Sequence, residues 1–127
     1  REGHLIQYTV QDGVAKRALI PVEFLTDNGT WETVMMQVDT AADLSVLPYE
    51  VATRLRYIGE QKPLYVREVV GSVSAIQTIV RARIMGKEID LPIISSVHIQ
   101  DPLLGNASFL DNFIVTLRPS GFEIKPA

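Results

Sequence analysis

Apolar and polar residues alternate through much of this chain, and a period of two residues is the pattern of strands with one buried face. The clearest run is 18–24, which would turn four apolar side chains toward a core: Ala18, Ile20, Val22 and Phe24. Asp27-Asn28-Gly29 follows, and Asn and Gly tolerate the positive φ that tight hairpin turns require. Residues 31–38 are then predicted to form the return strand, which delivers Asp39 to a loop at its end.

A second long alternation, in residues 73–85, predicts a strand with one half-exposed face. One face would carry Ile76, Thr78, Val80, Ala82 and Ile84, and the other would carry Gln77, Ile79, Arg81 and Arg83. Residues 64–70 are predicted to form the preceding strand, with Gly71-Ser72 as the tip between the two. Gly86-Lys87 would then turn the chain into a further strand at 88–94.

Shorter strands are predicted near both ends of the chain. Residues 5–10 form one candidate, which ends at the turn dipeptide Asp12-Gly13. Residues 114–117 and 122–124 would form a closing hairpin around Pro119-Ser120-Gly121.

Two short segments favour helix instead. Residues 48–55 have Pro at the first position and Glu50 in the first turn, and Val51 and Leu55 are spaced i and i+4. Phe109 and Phe113 have the same spacing and predict a helical turn.

Composition narrows the class of molecule. A chain of 127 residues with 46% hydrophobic content is expected to form one domain, residues 1–127, with a single core. Its 12 basic and 15 acidic residues give a net charge of -3, so neither nucleic acid nor a membrane surface is an expected partner. We expect a soluble domain of unassigned compartment, cut from something longer because it begins at Arg1 rather than Met.

The sequence lacks the residues that several kinds of catalytic and metal site require. The absence of cysteine excludes disulfides, thiolate zinc sites and thiol catalysis. His4 and His98 are far apart and have no Cys or Glu at metal-ligand spacing. Ser45 and Ser108 lack the Gly-x-Ser-x-Gly context of many serine hydrolases. No metal or organic cofactor is expected.

The candidate chemistry lies in residues 37–48, where Asp39 directly follows an apolar strand. An Asp in this position either caps a turn or is a carboxylate held at the edge of a core. Thr40 adds a hydroxyl, and Ala41 and Ala42 are small enough for another chain to approach closely. The pattern alone leaves both interpretations open.

Val-Asp-Thr-Ala-Ala-Asp-Leu-Ser-Val-Leu, beginning at Val38, resembles the Asp-Thr-Gly-Ala segment of retropepsin-like aspartic proteases. Leu-Leu-Gly-Asn-Ala-Ser-Phe-Leu, residues 103–110, resembles the second motif of that family, and the resemblance covers roughly residues 16–120. It implies an all-β fold, a closed barrel-like protomer with one or two short helices, in a two-fold homodimer joined through termini and Asp loops. It also implies an aspartic endopeptidase whose substrates are peptides or proteins.

The same resemblance implies the site. The catalytic segment would be Asp39, Thr40 and Ala41, and substrate would contact Ala42, Asp43, Leu104 and a flap formed by Val70, Gly71, Ser72 and Val73. Peptide hydrolysis by carboxylates needs two of them around a water, one ionised and one protonated. The other aspartates considered lack the small-residue context of Asp39: Asp43, Asp90, Asp101 and Asp111. The second carboxylate must then come from a second copy of the chain.

Two departures from the family pattern bear on activity. Ala41 stands where Gly is usual, and its Cβ would lie close to substrate and to the facing loop. Three residues separate Gly105 from Phe109 where two are common, and Asn106 stands where retroviral members often have Arg. The alternative interpretation is therefore a catalytically silent retropepsin-like domain that serves dimerisation or peptide binding.

Overall fold

Six strands close into a barrel in the computed structural model of this chain, which describes residues 4–11, 13, 15–55 and 75–127. The strands are β1 (His4–Ile6), β2 (Thr9–Gln11), β3 (Ala15–Arg17), β4 (Leu19–Leu25), β5 (Trp31–Val38), β6 (Ser45–Pro48), β7 (Ile76–Ile84), β8 (Lys87–Ser96), β9 (Leu103–Leu104), β10 (Phe113–Arg118) and β11 (Gly121–Pro126). The helices are α1 (Tyr49–Arg54) and α2 (Phe109–Asn112). The barrel order is β4-β5-β9-β6-β8-β7, and the expected all-β barrel with two short helices is confirmed.

The β4–β5 hairpin forms as its sequence predicts. Ile20, Val22 and Phe24 are fully buried, so alternate residues of β4 face the core. In the turn, the Thr26 N–H donates to the Thr30 carbonyl at 2.8 Å, and Gly29 takes the positive φ of 81° that the turn requires. The pairing runs along the whole of both strands and leaves Asp39 just beyond the end of β5.

The β7–β8 hairpin also follows its alternation. Val80, Ala82 and Ile84 are buried, whereas Ile79 on the opposite face is 69% exposed. Met85 and Gly86 join the strands with φ of 50° and 81°, the left-handed values that two-residue hairpin turns favour. β8 runs beyond the predicted 88–94, and the predicted beginning of β7 at residue 73 lies outside the described residues, as does the strand predicted at 64–70.

β9 lies between two strands that precede it in the chain. It runs parallel to β5, with Val38 opposite Leu104, and antiparallel to β6, with Val46 opposite Leu103. β6 itself was not predicted, and it runs parallel to β8. The predicted start of α1 at Pro48 is wrong. Pro48 ends β6 in extended backbone (φ -55°, ψ 145°), and the helix begins at the next residue.

The chain termini form a sheet of their own, in the order β1-β11-β10. The closing hairpin predicted at 114–124 is confirmed as β10 and β11. The single strand predicted at 5–10 is wrong: it divides into β1, which pairs with β11, and β2, which pairs with β3. Tyr8, at the division, packs its ring against Phe122 and donates its hydroxyl hydrogen to the Arg118 carbonyl at 2.7 Å.

One hydrophobic core fills the barrel and extends beneath the terminal sheet. The helical turn predicted from Phe109 and Phe113 is confirmed as α2, and the two rings lie 5.5 Å apart within this core. Its largest fully buried side chains are Phe24, Phe109, Phe113, Phe122, Ile20, Met36, Leu47, Leu55, Ile84, Leu91, Ile93 and Leu104. Neither helix in the described ranges is long and apolar enough to cross a membrane.

Candidate active site

Asp39 sits at the mouth of the barrel, half-buried, where β5 ends and a loop of small residues begins. Its N–H donates to the Leu104 carbonyl at 3.0 Å, which extends the β5–β9 pairing by one residue. Its Oδ1 accepts the Ala41 N–H at 3.0 Å, and its carbonyl accepts the Ala42 N–H at 3.2 Å. The carboxylate is thus oriented by the backbone of its own loop, as in an Asx turn.

The residues after β9 hold this loop in place. The Asn106 N–H donates to the Ala42 carbonyl and the Ala107 N–H to the Asp43 carbonyl, both at 2.9 Å. The Asn106 side chain adds a third bond, from Nδ2 to the Thr40 carbonyl at 2.8 Å. The two sequence motifs, far apart in the chain, therefore meet as one hydrogen-bonded unit.

Gly105 is required by how closely the two segments approach. A Cβ at this position would overlap the Leu44 carbonyl and would lie 2.9 Å from the Ala42 carbonyl oxygen. The Gly105 N–H donates to the buried Ser45 Oγ at 3.0 Å, so the side opposite the loop is also held. Gly is the residue whose backbone can come this close to another chain segment.

The structure brings most of the predicted site residues together on one loop. Thr40, Ala41 and Asp43 are exposed, and Ala42 is half-buried. Leu104 is 0% exposed and packs in the core, so it reaches the loop through its carbonyl rather than its side chain. The predicted flap residues Val70, Gly71, Ser72 and Val73 lie outside the described residues.

Ala41 occupies its position without backbone strain. Among the described residues other than glycine, only Met85 and Ser108 have positive φ. Ala41 therefore does not adopt a conformation that would need glycine, and its methyl group lies on an exposed part of the loop. The departure from the family pattern therefore leaves the backbone of the loop unstrained.

No ion pair within the described ranges involves Asp39, and no cluster of three His, Cys, Asp or Glu side chains could hold a metal ion there. Arg17 and Asp101 form a loose ion pair of 3.9 Å between the segment before β4 and the loop before β9. Within the described residues, the hydrogen bond that holds the Asp39 carboxylate comes from the Ala41 N–H.

Sequence reasoning missed Ser45 and Asn106 as supports of the loop. Asn106 was noticed only as the absence of an Arg, whereas its amide contacts the loop directly. Its contact joins residues 66 positions apart, and no local periodicity signals such a bond.

The fold was compared with solved structures. A retropepsin-like aspartic protease from Rickettsia conorii matches with a TM-score of 0.68 and 17% identity, over 97% of this chain and 91% of that chain. The EIAV protease, solved in complex with an inhibitor, matches with a TM-score of 0.55 and 27% identity, over 76% of this chain and 88% of that chain. No protein-family model matches the sequence, and no curated protein does so either. The resemblance inferred from the two motifs is confirmed by these structures.

Proposed function

From the retropepsin fold of this chain, we propose that it is an aspartic endopeptidase that acts as a symmetric homodimer. The observation that carries the proposal is the Asp39 loop. One half-buried carboxylate stands at the end of β5, on a loop whose backbone carbonyls are bonded by the segment that follows β9. The second carboxylate and the position of the substrate are inferred from what peptide hydrolysis requires.

A single chain supplies one such carboxylate, and hydrolysis of a peptide by carboxylates needs two. A two-fold axis passing beside Asp39 would bring the same residue from a second copy into contact with it. One carboxylate would then be ionised and take a proton from the attacking water, while the other, protonated, would donate a hydrogen bond to the scissile carbonyl. Thr40 and Ala41 would form the shared floor of the dyad.

The substrate would be an extended peptide lying across both Asp loops. Ala42 and Asp43 continue the loop beyond the dyad, where an extended chain would pass, and Asp43 is exposed. Residues 70–73 would cover the substrate from the other side as a flap. Leu104 contributes through its carbonyl, which fixes Asp39.

The terminal sheet offers a surface for the second copy. β10 pairs with β11 along one edge, and its other edge has no partner strand within the described part of the chain. Leu117 and Ile114 on this strand are 61% and 47% exposed. Unpaired edge strands with apolar side chains readily pair with another chain. β10 directly follows α2, so a dimer built on it would lie close to the loop of the second motif.

The decisive experiment compares Asp39→Asn with the wild-type protein in cleavage of a peptide library. Asparagine keeps the shape of the side chain but cannot exchange a proton, so cleavage should fall to background while the melting temperature is retained. Asp27→Asn is the matched control, because Asp27 lies in the β4–β5 turn at the end of the hairpin remote from Asp39.

The experiment also distinguishes the alternative of a silent domain. A wild-type protein that dimerises and retains peptides without cutting them would identify a binding module. Ala41 is the observation that favours this alternative, because its exposed methyl group stands where the family usually has glycine.

A further inference from the structure

Asn106 controls the peptide group that holds the Asp39 carboxylate. Its Nδ2 donates to the Thr40 carbonyl at 2.8 Å. That carbonyl belongs to the same peptide group as the Ala41 N–H, which donates to Asp39 Oδ1 at 3.0 Å. An amide hydrogen bond, one peptide group and a second hydrogen bond therefore connect Asn106 to the carboxylate in a single line.

The planarity of the peptide bond makes this connection rigid. In a trans peptide the C=O and N–H point in opposite directions within one plane, so fixing the carbonyl also fixes the N–H. Hydrogen bonds arranged in a chain polarise one another, and the bond from Asn106 therefore strengthens the donor presented to Asp39. The backbone N–H of Asn106 holds the Ala42 carbonyl as well, so one residue fixes both the Thr40–Ala41 and the Ala42–Asp43 peptide groups.

The oxygen of the Asn106 amide, Oδ1, does not stabilise the fold as the hydrogen bond from Nδ2 does. Oδ1 is buried and has no hydrogen-bond partner among the described protein groups. A buried acceptor without a partner destabilises the folded state, and this opposes the gain from the bond that Nδ2 makes. A residue that adds little net stability but holds the loop at its functional peptide is placed for function rather than for folding.

The geometry points to Asn106 as a positioning residue that acts on Asp39 through the Thr40–Ala41 peptide group. The inference rests on the proposed aspartic protease function. It assigns Asn106 no contact with substrate or water, so its removal should lower kcat far more than it changes KM.

The first test is Asn106→Ala. Without the donor, the Thr40–Ala41 peptide group can rotate and the orientation of the carboxylate is lost, so kcat should fall about tenfold or more while KM stays within about twofold. The substitution also removes the buried Oδ1, so the melting temperature should change by less than about 4 °C.

The second test is Asn106→Asp, which keeps the shape and removes the donor. The introduced carboxylate accepts hydrogen bonds only, but once protonated it has one O–H that can donate to the Thr40 carbonyl. Its kcat relative to wild type should therefore recover as the pH falls through the pKa of the new carboxyl. Asp39 and Asp43 are the ionisable groups on the contacted loop and are present in all three proteins, so Asn106→Ala serves as the comparison. For Asn106→Ala the ratio should not depend on pH.

Asn112→Ala is the matched control. Asn112 Nδ2 also donates to a backbone carbonyl, that of Ser108 at 2.7 Å, but this bond joins the last residue of α2 to the residue before the helix and does not contact residues 39–43. Its removal should lower the melting temperature and leave kcat within about twofold of wild type.

Equal kcat values for wild type and Asn106→Ala, or an Asn106→Asp ratio that is flat with pH, would overturn the positioning role in an enzyme that is otherwise active. If the wild-type protein were as inactive as Asp39→Asn, the proposed function would fail and the positioning role with it.

Discussion

At the scale of single residues, Gly105 makes the sharpest prediction. A Cβ there would overlap the carbonyl of Leu44, and backbone atoms cannot move aside as the end of a flexible side chain can. Gly105→Ala should therefore destabilise the protein by about 3 kcal/mol or more, at the upper end of what excess volume costs. Denaturant unfolding measures the loss.

Gly29→Ala is the control for this substitution. Gly29 has a φ of 81° but no atom within 4 Å of a Cβ, so only the left-handed backbone is penalised. The expected loss is about 1–2 kcal/mol. If the two alanine variants lost the same stability, the close approach at Gly105 would not be the reason for its glycine.

Ala41 tests how the loop meets its substrate. Because Ala41 does not have a positive φ, Ala41→Gly should lower stability by about 0.4–1 kcal/mol through the greater freedom of the unfolded chain. If the methyl group crowds the substrate, the same change should raise kcat/KM roughly tenfold, since ~1.4 kcal/mol corresponds to a factor of ten. Peptide cleavage and thermal melting on both proteins separate the two effects. Lower melting without a gain in kcat/KM would mean that the alanine fits comfortably.

The order of residues around Asp39 was sufficient to locate the loop, but not its supports. The extra residue between Gly105 and Phe109 was visible in the sequence, but the backbone conformation of this segment was not. Ser108 takes a φ of 66°, a conformation that costs a residue other than glycine about 1–3 kcal/mol. Such a local rearrangement depends on how the chain must enter α2, which no motif encodes.

At the scale of elements, the closure of the barrel depends on a short contact. β4 and β7 pair only at Glu23–Arg83 and Phe24–Ala82. Arg83 binds the Glu23 carboxylate with two nitrogens, at 3.1 and 2.7 Å, and lies 4.2 Å from the centre of the Trp31 ring. The side-chain hydrogen bond from Arg83 holds the pKa of Glu23 below its ordinary value of 4.5.

This shift predicts how the pair contributes at different pH. A carboxyl whose pKa is lower in the folded state adds stability above its unfolded pKa, and the contribution disappears as the pH falls through the folded value. Glu23→Gln should therefore be less stable than wild type near neutral pH, and the difference should shrink as the pH falls from neutral to below about 4.5. Thermal melting over that range measures it.

Glu88→Gln provides the comparison. Glu88 meets Arg81 at 3.4 Å on the β7–β8 hairpin, whose strands pair along their whole length without this contact. It should change the melting temperature less than Glu23→Gln does at neutral pH. A larger effect at Glu88 would contradict a special role for the β4–β7 junction.

Strands with a clear alternation were predictable, and those defined by a distant partner were not. β4, β5 and the described part of β7 have buried and exposed faces that a period of two reveals. β6 has only four residues, of which three are buried, so it shows no alternation. β1 and β2 appear continuous in sequence and separate only because each pairs with a different strand.

At the scale of the whole molecule, the proposed mechanism makes activity depend on concentration. A single protomer carries one Asp39 and no dyad, so activity per mole should fall as dimers dissociate on dilution. Cleavage assays across a dilution series, with sedimentation at the same concentrations, test this. Constant activity per mole in solutions that sediment as monomers would exclude the dimeric dyad.

We propose that the second copy binds at the edge of β10 that has no partner strand among the described residues. Leu117→Lys places a charge on that strand, which should weaken association and move the loss of activity to higher protein concentration. Ile79→Lys is the control, since Ile79 is similarly exposed, at 69%, but lies on the barrel strand β7. Equal effects of the two lysines would mean that β10 is not the interface.

The position of β9 also governs when this molecule can acquire its site. The ribosome makes β5 and β6 before β9, and more than 50 residues, 49–102, separate β6 from this strand, which lies between β5 and β6 in the barrel. Contacts between residues so far apart in sequence form late and slowly, because the entropy of closing a long loop is lost before the contact stabilises the chain. A nascent chain that ends before Leu103 contains Asp39 but lacks the Leu104 carbonyl and the Asn106 contacts that hold its loop. If the proposed function is correct, the chain would therefore be inert during its own synthesis, and activity would arise only when residues 103 onward fold into place.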